Sequence, residues 1–136
     1  MTTTTMTPYD ALGGREVVLR LAGAFYQHMA KYERPLAEVH ELDDTGAISE
    51  RSVERFGRFL VEWLGGPAEY SPREGHPRLR MRHAHLRIES SFRDAWLRCM
   101  QAALNEVGAE GEVRAFLDQR FFDVANFLRN HPDINE

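Results

Sequence analysis

The chain has 136 residues, enough for one domain with a buried core, and its 43% hydrophobic and 28% charged content argues against wholesale disorder. A net charge of −4 disfavours a nucleic-acid binder, and the single Cys99 excludes an internal disulfide or a cysteine-based zinc cluster. No uncharged apolar run approaches the ~20 residues of a membrane span, and the opening MTTTTMTP lacks the charge and apolar core of a signal or transit peptide.

These features lead us to expect a cytoplasmic protein with no membrane association. Residues 1–8 are expected to be a disordered tail and 9–136 a single domain. Strand patterning is almost absent and a 3.6-residue period recurs, so the chain is expected to be all-α. A short first helix ends at Gly13-Gly14. From Glu16 to Ala30, Val18, Leu21, Phe25 and Met29 form one stripe, with Leu19, Ala22 and Tyr26 beside it. Pro35 and the DDTG cluster mark residues 32–48 as irregular, with short helical turns. Ser49 caps a helix running to Leu64 whose inward face is Val53, Phe56, Phe59, Leu60 and Trp63. Gly65-Gly66-Pro67 stops it, and residues 67–76 are expected as a loop containing Tyr70. Residues 77–86 alternate like a strand, yet Leu79, His83 and Leu86 share one helical face, and helix is the expectation. Ser91 and Asp94 fit a capping box for a helix carrying Phe92, Trp96, Cys99, Met100, Ala103 and Val107. After Gly111 a last helix places Val113, Phe116, Leu117, Phe121, Val124 and Leu128 inward, and Asn130 and Pro132 end it.

The stretch GHPRLRMRHAHLRI, residues 75–88, holds three of the six histidines and four arginines. On a helix, His83 and His85 point about 200° apart and cannot share one ion, which argues against a zinc site. Its arginines interleave with Leu79, Met81 and Ile88 rather than with aromatics, which argues against a nucleic-acid strip. A haem remains open: it needs one axial imidazole on an apolar helix face, and arginines suit its anionic propionates. A lone histidine on such a face is usually a satisfied core residue.

EWLGGPAEY (62–70), GHPRLRMRHAHLRI and RDAWLRCM (93–100), with LGG at 12–14 and the Phe25-Tyr26 pair, resemble the group II truncated haemoglobins over roughly residues 9–110. The resemblance implies a two-over-two helical sandwich around one haem b, with His83 as proximal iron ligand. It implies Trp96 and Tyr26 as distal hydrogen-bond donors, and His40 in the loop position where a distal tyrosine is common. Ser52 falls where many globins carry a distal histidine, with Phe56 one turn later. The loop after Asp43-Asp44 looks about four residues longer than usual. Haem contacts are expected from Phe59, Leu79, Met81 and Leu86, and propionate partners from Arg82, Arg80, His76 and Tyr70.

The function expected is binding of O₂, and of other diatomics such as NO and CO, at a five-coordinate iron with slow release. Oxygen binding and transport are the corresponding roles. A reductase-dependent peroxidase or NO dioxygenase is the enzymatic alternative. The chain has no flavin or nicotinamide motif such as GxGxxG, so this alternative requires a separate reductase partner. A ligand scavenger or sensor is the third reading.

Overall fold

The computed structural model describes residues 6–79, 83 and 86–130. Among them, seven helices appear: α1 (Pro8–Leu12), α2 (Arg15–Tyr32), α3 (Arg34–Ala37), α4 (Glu50–Trp63), α5 (Ser71–Glu74), α6 (Ser90–Glu106) and α7 (Gly111–Leu128). The only β pairing among the described residues is an isolated bridge between Leu42 and Ile48. α2 packs on α4 and on α6, and α6 packs on α7. The pairs α2/α4 and α6/α7 form two layers, as the expected two-over-two sandwich requires.

α1 starts where Thr7 Oγ1 accepts the Asp10 amide at 3.1 Å, with Pro8 at a position where its missing N–H costs nothing. It ends because Gly13 and Gly14 take φ of 118° and 89°, values that a side chain disfavours. The chain then turns straight into α2, whose Val18, Leu21, Phe25 and Met29 are all buried, as the stripe predicts. α4 is capped by Ser49, whose hydroxyl accepts the Ser52 amide at 3.2 Å. Its inward face meets α2 closely: a Cβ on Gly57 would lie 2.8 Å from Leu19 Cδ2.

The segment between α3 and α4 is better ordered than its irregular sequence suggests. Asp43 Oδ1 accepts the Thr45 and Ala47 amides, at 2.8 and 3.1 Å, and the Thr45 hydroxyl at 2.7 Å. Arg34 donates to the Gly46 carbonyl at 2.8 Å, which pins the loop tip to α3.

Three local expectations are corrected. Residues 67–76 are not all loop, because the Glu62 carboxylate gathers the Tyr70 amide (3.2 Å), the Ser71 amide (3.0 Å) and the Ser71 hydroxyl (3.0 Å), seating the α5 turn. These donors hold the Glu62 carboxyl below its ordinary pKa, led by the Ser71 amide. The Ser91/Asp94 capping box does not form. α6 begins two residues earlier on the Glu89 carbonyl, which accepts the Phe92 and Arg93 amides at 3.1 Å each, while Asp94 pairs with Arg93. Finally, Phe116 is 50% exposed rather than inward. The buried line of α7 is Leu117, Phe121 and Ala125; the helix rests mainly on α6 and the short α1, and Phe121 stacks on Trp63 of α4 at 5.3 Å.

Candidate functional site

His83 lies in the stretch between α5 and α6. Its backbone N–H donates to the Leu79 carbonyl at 3.2 Å, as a helical turn requires, and its Nδ1 lies 2.7 Å from the same oxygen. A carbonyl has no proton to give, so Nδ1 carries the hydrogen and the neutral ring keeps a bare lone pair on Nε2. That is the state a metal-binding histidine needs, with the second nitrogen fixing the tautomer and the ring direction. Leu79 and Leu86, on either side in sequence, are half-buried. Met81, Arg80, Arg82 and His85 lie outside the described residues.

Tyr26, Phe56, His40 and Trp96 come together from four parts of the chain through one aromatic cluster. Tyr26 on α2 lies edge-on to Phe25 (5.0 Å between ring centroids), Phe56 (5.3 Å) and His40 (5.5 Å). Phe25 in turn meets Phe56 at 5.1 Å and Trp96 at 5.2 Å. Burial pushes the Tyr26 hydroxyl up to about 12, so it stays protonated and available as a donor at any physiological pH. Trp96 also packs on Phe121 at 5.8 Å, which fixes its indole between α2 and α7.

His40 follows α3, and its Nδ1 lies 2.9 Å from the Leu36 carbonyl. The argument made for His83 applies again: Nδ1 bears the hydrogen, and Nε2 of the neutral ring can accept but not donate. Burial lowers the His40 pKa from the ordinary 6.5; the Leu36 bond opposes this, and the nearness of His83 adds to the lowering.

Ser52 is buried at the start of α4, but its hydroxyl accepts from Ser49 Oγ at 3.0 Å and so serves the helix terminus. Phe56, one turn later, makes the contacts with Phe25 and Tyr26. Phe59 stacks between Phe56 and Trp63, at 6.3 Å from each, and meets the edge of buried Tyr70 at 5.5 Å. Of the propionate candidates, Tyr70 is therefore packed behind Phe59, and exposed His76 accepts the Arg78 amide at 3.1 Å.

The donor set fits a haem. Phe56, Phe59, Trp63 and Trp96 face inward and pack on the core, yet all four remain only half-buried. The Nε2 lone pair of His83 is an imidazole donor of the kind that a haem iron takes.

The sequence matches the bacterial-like globin family over residues 7–130. It is 35% identical to the group 2 truncated hemoglobin YjbI of Bacillus subtilis, over 95% of this chain and 92% of that one. The chain belongs to the group II truncated haemoglobins. The fold of this globin superposes on the group II truncated hemoglobin of Bacillus anthracis with a TM-score of 0.84 at 32% identity, covering 96% of each chain. A thermostable hemoglobin of Thermobifida fusca gives a TM-score of 0.80 at 38% identity, covering 94% of this chain and all of that one. Membership implies a haem cofactor and binding of diatomic gases such as O₂. Among the described residues no helix is long and apolar enough to cross a membrane.

Two participants escape a reading of the sequence. Phe25 is legible as a core residue, but not as the ring joining Tyr26, Phe56 and Trp96. Asn130 reads only as a helix terminator, whereas its side chain bonds to the segment following His83. No local pattern signals that contact, because the partners are 42 and 44 residues apart.

Proposed function

We propose that this globin binds one haem b through Nε2 of His83, leaves the iron five-coordinate, and captures O₂ with slow release. The family match over residues 7–130 carries the reading, and the His83 tether supports it: Nδ1 is committed to the Leu79 carbonyl at 2.7 Å, so Nε2 is the nitrogen free to coordinate. A bound haem supplies a ferrous iron able to take up a diatomic ligand. The chain supplies what governs escape. The Tyr26 hydroxyl and Trp96 indole N–H are protonated donors in a water-poor cluster, where hydrogen bonds to a partly charged acceptor are strong. Phe56 and Phe59 exclude water from the same face, and Leu79 and Leu86 do so beside His83. Met81 belongs with these haem contacts, and Arg80 and Arg82 are the propionate partners.

His83→Gly tests the assignment. It should abolish the iron–histidine stretch in the ferrous resonance Raman spectrum, and added imidazole should restore a comparable band. An iron–histidine band that persists unchanged in the variant would refute the ligand assignment. Stopped-flow displacement of O₂ by CO tests the slow release.

A further inference from the structure

We propose that Asn130 is a positioning residue for the proximal histidine, acting as a strap from the far end of the chain; this rests on His83 being the iron ligand. Residues 86–88 belong to no helix or strand, so they need partners from elsewhere. Asn130 supplies them on both sides. Its Oδ1 accepts the Ile88 amide at 2.8 Å, its Nδ2 donates to the Leu86 carbonyl at 2.9 Å, and its backbone N–H donates to the Ile88 carbonyl at 2.9 Å. The planar side-chain amide offers an acceptor and a donor as a peptide group does, so it pairs with this segment as a strand edge would.

The strap continues to the histidine. Leu86 N–H donates to the His83 carbonyl at 3.0 Å, and His83 donates twice to the Leu79 carbonyl. An unbroken run of hydrogen bonds therefore links Asn130 to the ring that would carry the iron. Asn126, one turn earlier on α7, accepts instead from Arg93 of α6 at 3.1 Å. The two asparagines divide the work: Asn126 fastens helix to helix, and Asn130 fastens the proximal turn.

Asn130→Leu is close in size and removes both side-chain bonds. In the haem-loaded protein it should shift or broaden the iron–histidine Raman band, and haem transfer to apomyoglobin should quicken by about tenfold. Asn130→Asp keeps the acceptor for Ile88 and loses the donor to Leu86, so its effects should fall between those of wild type and Leu. Asn126→Ala should leave the Raman band in place. Far-UV circular dichroism checks folding, and if the Leu variant does not fold, the Asp variant decides. A wild-type band in folded Asn130→Leu or Asn130→Asp overturns the strap, as does an equal shift in Asn126→Ala. His83→Gly separates the two ideas. Loss of the band there, with no change at Asn130, sinks the strap alone, whereas a band that survives His83→Gly sinks the ligand assignment on which it rests.

Discussion

Trp96→Phe removes one hydrogen-bond donor while keeping an aromatic ring in the same place. In the wild type the indole sits 5.2 Å from Phe25 and 5.8 Å from Phe121, so a phenyl ring retains much of that packing. The fold should lose only about 1–2 kcal/mol, less than truncation of an aromatic residue to alanine. Ligand release is a different matter. A donor held in a dry cluster and facing a partly anionic acceptor contributes about 1.5–3 kcal/mol. If all of that appears in the barrier to escape, O₂ leaves roughly 10- to 150-fold faster. Stopped-flow replacement of O₂ by CO reads the rate directly, and urea unfolding reads the packing cost. The reasoning predicts a large kinetic effect with a small stability effect. An O₂ release rate within twofold of wild type, in a folded variant, would remove Trp96 from the distal donors.

The His40 tautomer makes a pH prediction. With Nδ1–H on the Leu36 carbonyl, Nε2 gains a proton only below the lowered pKa, hence below 6.5. O₂ release should therefore be flat from pH 7 to 8.5 and slow only on acidification below 6.5, as His40 becomes a donor; His40→Leu should abolish that change. The same lowering means that the unfolded chain binds this proton more tightly, so the ring's contribution to stability is present above 6.5 and lost as pH falls. A pH dependence confined to values above 7, or one retained in His40→Leu, would contradict this assignment. On the packing side, an alanine methyl at Gly66 would lie 2.6 Å from the Tyr9 ring and 2.8 Å from the Val61 carbonyl. The backbone oxygen cannot move aside, so Gly66→Ala should cost about 1–3 kcal/mol in urea unfolding. Gly57→Ala meets only the flexible tip of Leu19 and should cost less; equal losses at the two sites would refute the distinction.

What could be read from the sequence was whatever repeats locally. The α2 stripe of Val18, Leu21, Phe25 and Met29 is set by helical period alone, and each residue is buried. The Ser49 cap and the Gly13-Gly14 corner follow from backbone chemistry within a few residues, and both form. The errors arise where a distant partner decides. Phe116 obeys the apolar period of α7, yet it is 50% exposed, because the contacts with α6, α1 and Trp63 of α4 bury the line of Leu117, Phe121 and Ala125 instead. Ser91 and Asp94 satisfy a capping pattern that Arg93 and the Glu89 carbonyl pre-empt. Glu62 turns part of an expected loop into α5 because its carboxylate reaches three donors at once. For the site, His83 was singled out by its helical face and by resemblance. The hydrogen on its Nδ1, and the one on His40, needed the positions of two carbonyl oxygens.

Those two histidines differ in what holds them in place. Both rings are tied by Nδ1 to the carbonyl four residues before, at Leu79 and at Leu36, so both present a bare Nε2. The tether alone therefore does not distinguish a ligand from a distal residue, but the surroundings of the two rings differ. His40 is held against Tyr26 in the aromatic cluster that α2, α4 and α6 build, and this cluster is part of the buried core. Its position is fixed by packing that a small ligand does not disturb. His83 instead lies in a stretch tied down by hydrogen bonds at its two ends, through Leu79 and through Leu86 to Asn130. Hydrogen bonds of this kind contribute about 1 kcal/mol each, and a few of them let a ring shift by tenths of an ångström more readily than close packing does. Substitutions in the cluster should therefore act on ligand escape, whereas substitutions along the His83 tether should act on haem retention and on the iron–histidine bond.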